Sequence, residues 1–229
     1  MDPEQEGGVE KLNAEFSSLC SNNKCKIALL MLGNPAPGGN NILDGLLKYK
    51  AYRKDATLVG YWNGVEGIKE DTLVEITEES FAPYRNLGGY DYLGQSTERL
   101  RSDSYDVVIE SCRKHELTGL IIVGATHSMT DTIGLAEELL KQKVPTGVVA
   151  IPATLDGNIR HAFFQCSLGF DTASKVYSQL IGNMLTDSAS AIKYWYFIRL
   201  MGKNPSHLAL ECALKTHPNM VLISEECAL

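Results

Sequence analysis

One unit recurs along this chain: a short apolar run, a loop of small or polar residues, then apolar residues at helical spacing. Lys26–Leu32 (KIALLML) is the first run, Gly33–Asn41 (GNPAPGGNN) the first loop, and Ile42–Tyr52 (ILDGLLKYKAY) the first helix. A continuous apolar run closed by such a loop fits a strand buried on both faces. A helix between two such strands makes a crossover, so the strands run parallel. The unit returns. Ala56–Trp62 holds a second strand, Asp103–His115 a helix, and Leu120–Val123 a strand. A loop at Gly124–Ser128 leads into a helix at Met129–Gln142, then a strand at Thr146–Pro152 and a loop through Asn158. A long helix is expected over Asp171–Asp187, a strand over Tyr194–Leu200, a helix over His207–Lys215 and a last strand over Asn219–Ser224. The fold class that follows is α/β, doubly wound, with a mostly parallel sheet. Such sheets bind ligands beyond the carboxyl ends of their strands, at a switch point in strand order. The loops after the strands are therefore where chemistry is to be sought.

Composition bounds the partners. The net charge of -7 leaves no basic excess to neutralise a nucleic acid backbone. The six cysteines form no C-x-x-C pair, so they are read as reduced and mostly buried. No apolar stretch reaches the length of a membrane span. The opening MDPEQEGGVE lacks the apolar core of a secretory signal, so a cytoplasmic protein is expected. Residues 1–25 read as a polar tail with one short helix near Val9–Leu19. The chain stops just after an expected strand, which suggests truncation within a second domain.

Each loop admits two readings. Gly33–Asn40 offers small residues and a following helix N-terminus, which suit a phosphate, or it is a tight turn. Gly124–Ser128 holds His127, able to touch an anion or simply solvated, and Ser128, a natural helix N-cap. Asp156 is a general base at a strand end or half of an Asp-Gly turn. Lys203 binds a phosphate or is solvated. Ser224-Glu225-Glu226 presents paired acids to sugar hydroxyls or to water.

Taken in order, the motifs resemble the phosphofructokinase family, in its long pyrophosphate-dependent type. Ala36-Pro37-Gly38-Gly39-Asn40-Asn41 resembles its first phosphate loop and Pro83–Asp91 its PYRNQGG segment. Gly169–Ala173 with Lys175 resembles GFDTA-x-K, and Phe197–Lys203 resembles F-[VI]-R-L-M-G-R. Ser206-His207, Leu210–Leu214 and Thr216–Asn219 complete the likeness, which runs from Lys26 to Glu226.

The resemblance implies a phosphofructokinase fold that moves a phosphoryl group from pyrophosphate or ATP to the 1-hydroxyl of fructose 6-phosphate. It implies a phosphoryl-donor domain over 26–190 and the start of a sugar-phosphate domain over 191–229. Gly33, Gly38, Gly39 and Ser128 fall in the phosphate loops. Asp156 matches the catalytic base and Thr154 its neighbour. Met201, Gly202, Lys203 and Glu226 fall on the sugar-phosphate side. The departures gather on the donor side. Asn34 replaces a loop glycine, and Thr97 stands where an arginine is expected, with Arg99 or Arg101 as substitutes. Thr126 replaces the metal-holding aspartate, so Mg²⁺ binding is expected to be weakened, with no other metal ligand and no organic cofactor. Ala153 and Asn158 replace a pyrophosphate-binding lysine and a second aspartate. The implied function is a regulatory or degenerate subunit, nearest the alpha subunit of the plant enzyme. It binds fructose 6-phosphate or a related effector and modulates a catalytic phosphofructokinase subunit in an oligomer. The alternatives are a weakly active phosphotransferase and an assembly module with no ligand site.

Overall fold

A computed structural model of the chain describes residues 25–52, 55–96, 98–159, 164, 167–202 and 206–227. The expected helix at Val9–Leu19, and with it Cys20, Thr97, Cys166 and Lys203, lies outside the described residues. The chain forms two compact units, residues 1–34 with 39–151 and residues 35–38 with 152–229.

The first unit is built on strand β1 (Cys25–Met31). It pairs in parallel with β2 (Ala56–Tyr61) on one side and β4 (Gly119–Gly124) on the other. Ala28 thus lies between Val59 and Leu120. Ala28, Leu29, Leu30 and Met31 are completely buried, as a strand covered on both faces requires. Side chains alternate across the sheet. Ala28, Leu30 and Leu32 accordingly share one cluster with Val59, Tyr61, Leu120 and Ile122. Helix α1 (Gly39–Tyr52) follows β1 and buries Leu43 and Leu47. A short helix α2 (Val65–Lys69) follows β2 and leads to β3 (Leu73–Glu75), a three-residue antiparallel edge strand. Helix α3 (Glu78–Phe81) is closed by a capping box between Thr77 and Ser80. Helix α4 (Tyr105–Lys114) brings Val108, Ile109 and Cys112 into the cluster, and α5 (Thr126–Lys141) brings Leu135 and Leu139. The strand order is β3-β2-β1-β4-β5, where β5 spans Gly147–Thr154.

In the second unit the last two residues of β5 pair in parallel with β6 (Leu168–Gly169). Helix α6 (Phe170–Ala191) follows, and α7 (His207–Thr216) packs on it through Ala173, Ile181, Leu208 and Cys212.

The expected α/β class and mostly parallel sheet are observed. Two expected strands are not. Tyr194–Leu200 and Asn219–Ser224 carry no ladder among the described residues. Trp195 is 89% and Phe197 91% exposed. An apolar run favours an extended chain, but a strand also needs a neighbour's N–H and C=O groups. The elements missed at first reading, α2, β3 and α3, are too short to show a period.

Helix α1 gives a direct test of this packing. A Cβ at Gly39 would lie 2.0 Å from the Tyr90 ring and 2.5 Å from the Gly89 carbonyl, whereas a Cβ at Gly45 would meet nothing within 4 Å. Gly39→Ala is expected to destabilise the protein by about 1–3 kcal/mol. Gly45→Ala, at an exposed interior helix position, is expected to stabilise it by about 0.5–1 kcal/mol. Urea unfolding of the two variants reads both signs.

Candidate functional site

β1 and β4 are neighbours although the chain visits β2 and β3 between them, so the strand order reverses at their carboxyl ends. The Leu32 N–H donates to the Val123 carbonyl at 2.8 Å and holds the two ends together. Gly33 follows in the left-handed region, at φ +75°. A Cβ at Gly33 would lie 3.5 Å from Ser128 Oγ and 3.7 Å from the Ala125 nitrogen. At Gly124 it would lie 2.5 Å from Ser128 Oγ, so only glycine fits there. The two glycines leave bare backbone against which the buried Ser128 side chain packs. The sequence suggested Ser128 as the N-cap. The structure places it two residues inside α5, and Ala125 is the N-cap without a side-chain bond. The physical reason is that the turn after Gly124 is completed by Ala125 alone, in extended conformation, so the backbone is already helical at Thr126. Thr126 and His127 are exposed on this first turn.

The other glycines of the first loop do different work. Gly38 has φ +104° and faces Leu168, within the second unit. Gly39 leaves the space that the Tyr90 ring occupies. Asn40 is fully buried beside it. Its Nδ2 donates to the Gly88 carbonyl at 2.8 Å and to Asp91 Oδ1 at 2.6 Å, and its backbone N–H donates to the Gly89 carbonyl at 2.9 Å. The first turn of α1 is thereby bolted to the Pro83–Asp91 segment. Arg85 of that segment is held by Asp44 at 2.8 Å and Glu78 at 2.6 Å.

Arg99, one of the two substitutes for an arginine at position 97, is engaged elsewhere. Its Nε and a terminal nitrogen donate to the two oxygens of Asp131, at 3.1 and 2.6 Å. The Tyr105 hydroxyl donates to the Asp131 backbone carbonyl at 2.9 Å. Two of its five N–H donors are thereby directed at Asp131. Arg101 is exposed. Asp131 was not singled out in the sequence, because no local pattern links residues 32 positions apart.

In the second unit, Thr154 is buried and its Oγ1 accepts from the Asp156 N–H at 3.1 Å. Burial pushes the Asp156 carboxyl above its ordinary range. Gly202 stands beside it at φ +148°, and a Cβ there would lie 3.6 Å from Asp156 Oδ1. The structure therefore brings Asp156, Thr154 and Gly202 together. Ala153 is fully buried, so a longer side chain at that position requires its neighbours to move. Met201 is exposed. Glu226 is exposed on a turn in which its N–H donates to the Ile223 carbonyl at 3.2 Å. Its neighbour Glu225 bonds instead to Ser206, at the start of α7. One clue to that partnership is visible in the sequence. Ser206 is an N-cap whose third helical residue is Ala209, so the usual reciprocal Glu or Gln is lacking.

Comparison with known proteins identifies the family. The family model described as phosphofructokinase matches residues 26–228. The chain is 42% identical over 205 residues to the pyrophosphate–fructose 6-phosphate 1-phosphotransferase subunit alpha of Solanum tuberosum, covering 89% of this chain and 33% of that protein. It is 39% identical to the subunit beta of Ricinus communis, covering 92% of this chain and 39% of that protein. Among solved structures it is similar to Pichia pastoris phosphofructokinase, with a TM-score of 0.78 at 20% identity, covering all of this chain and 25% of that one. The chain spans about a third of the length of the curated relatives it matches. With the family model matched over nearly every residue, and pyrophosphate-dependent relatives near 40% identity, the chain belongs to the phosphofructokinase family.

Proposed function

We propose that the chain is a regulatory or catalytically degenerate phosphofructokinase subunit or domain. It binds fructose 6-phosphate or a related effector and modulates a catalytic partner in a cytoplasmic oligomer. The observation that carries this reading is a contrast between two sets of loops. On the acceptor side Asp156 and Gly202 are adjacent, and the raised Asp156 pKa suits a group that faces a sugar hydroxyl. On the donor side, Gly124–Ser128 carries no carboxylate and Arg99 is paired with Asp131. Family enzymes generally use Mg²⁺, a hard cation that takes carboxylate and other oxygen ligands. The hydroxyls and one imidazole of Gly124–Ser128 do not fit that demand. Phosphoryl transfer depends on neutralising the donor's charge, and these loops lack the groups that would do so.

Similarity does not rank the two subunit types. Identity to the alpha and beta subunits differs by only 3%, from 42% and 39%. The donor-side residues carry the distinction. A second reading, an assembly module with no ligand, is favoured by the exposed Trp195, Phe197 and Leu222. No helix among the described residues is long and apolar enough to cross a membrane.

The direct test is fructose 1,6-bisphosphate formation from fructose 6-phosphate, Mg²⁺ and either pyrophosphate or ATP. The chain is assayed alone and with a catalytic subunit from the same source. No turnover alone and a changed rate for the partner are expected. Turnover by the chain alone would overturn the reading, and no effect on the partner would favour the assembly module.

Asp156 gives a second outcome. Its folded pKa is raised above 3.8, so the stability from its retained proton is full below that value and lost as pH rises through the folded pKa. At neutral pH the ionised carboxylate opposes folding. Asp156→Asn is expected to raise the melting temperature at neutral pH, by an amount that shrinks as the pH is lowered toward 3.8. Any turnover present in the parent is lost.

A further inference from the structure

We infer that Glu225 is a positioning residue of the sugar-phosphate side. Its carboxylate fastens the turn that carries Glu226 to Ser206, at the start of α7. The inference rests on the proposed sugar-phosphate reading and deepens it by separating two acids that the sequence presents as an interchangeable pair.

The geometry distinguishes them. One Glu225 oxygen accepts the Ser206 backbone N–H at 2.8 Å, and the other accepts the Ser206 hydroxyl. The Ser224 hydroxyl adds a third bond at 3.1 Å. These bonds hold the Glu225 carboxyl well below the usual range, at about 2, so it is fully ionised at neutral pH. An anion at the start of α7 is also favoured by the helix dipole. Both acids are exposed, and it is these bonds that set Glu225 apart from Glu226.

Ser206 is a firm anchor. It opens α7, whose Leu208 and Cys212 are buried in the second unit's core. Lys215 Nζ further ties the helix to Ser174 Oγ at 3.3 Å. Four residues before Ser206, Gly202 stands beside Asp156. The start of α7 therefore anchors the turn that bears Glu226. A carboxylate meant for a sugar hydroxyl must be held within a fraction of an ångström, and a support of this kind does that.

The clamp is exposed, and exposed ion contacts add little to global stability. Breaking it is expected to loosen the turn without unfolding the chain, which makes the role separable from a structural one. Fructose 6-phosphate binding to the full chain is measured by calorimetry for the parent, Glu225→Ala, Glu226→Ala and the double variant. Glu225→Ala is expected to weaken binding about tenfold, the loss of one charge-assisted contact made elsewhere in the site. Because Glu225 acts through Glu226, the double variant is expected to bind within about twofold of Glu226→Ala alone. Glu225→Gln, which keeps one acceptor oxygen, is expected to recover part of the loss. Unchanged binding in Glu225→Ala, or losses that multiply in the double variant, would overturn the positioning role. A parent chain that does not bind fructose 6-phosphate would overturn the sugar-phosphate reading itself, and the positioning role with it. If Glu225→Ala does not fold, Ser206→Ala breaks the hydroxyl bond from the other side and is judged by the same comparison.

Discussion

The parallel pairing of β1 with β4 is the contact from which the rest of this structure follows. β1 has already given its other edge to β2, so the chain must return across the sheet to reach β4. The helices after β1 and β4 then diverge, and their starting loops face each other at the carboxyl ends. That approach is close enough to dictate residues. Gly124 has no room for a Cβ, and Gly33 must take a left-handed backbone. At the carboxyl ends of β1 and β4, bare backbone at Gly33 and Gly124 meets the buried Ser128 side chain.

The chemistry offered by the two units differs accordingly. In the first, cationic and anionic groups are spent on one another. Arg85 is held by Asp44 and Glu78, and Arg99 by Asp131. In the second, Asp156 keeps a raised pKa beside Gly202, and Glu225 is bonded to Ser206. Ion pairs engage the two arginines, while Asp156 is a titratable group beside the bare backbone of Gly202. This distribution is what supports the proposal of a chain that recognises a sugar phosphate without turning it over.

Much of this was legible in the sequence, because burial writes itself into periodicity. KIALLML and TGLIIVG read as strands covered on both faces, and they are the paired centre of the sheet. Helices α1, α4, α5, α6 and α7 show their apolar spacing. Tertiary partnerships were not legible. YWYFIRL and NMVLIS have strand composition, but composition does not supply the neighbouring strand that a ladder needs. Ser128 has the chemistry of a cap, yet a single extended residue, Ala125, set the helix start before it. Gly39 read as a phosphate-loop glycine, and its bareness accommodates the Tyr90 ring. The Asp131–Arg99 and Glu225–Ser206 pairs join positions that only the fold brings together.

The central claim is this asymmetry between a retained acceptor side and a lost donor side, and ligand titration addresses it without any assay of turnover. Fructose 6-phosphate and Mg²⁺-pyrophosphate are titrated separately into the purified chain in a calorimeter. The account predicts saturable heat with fructose 6-phosphate and none with Mg²⁺-pyrophosphate. Saturable binding of pyrophosphate with an affinity equal to or above that of the sugar phosphate would contradict it.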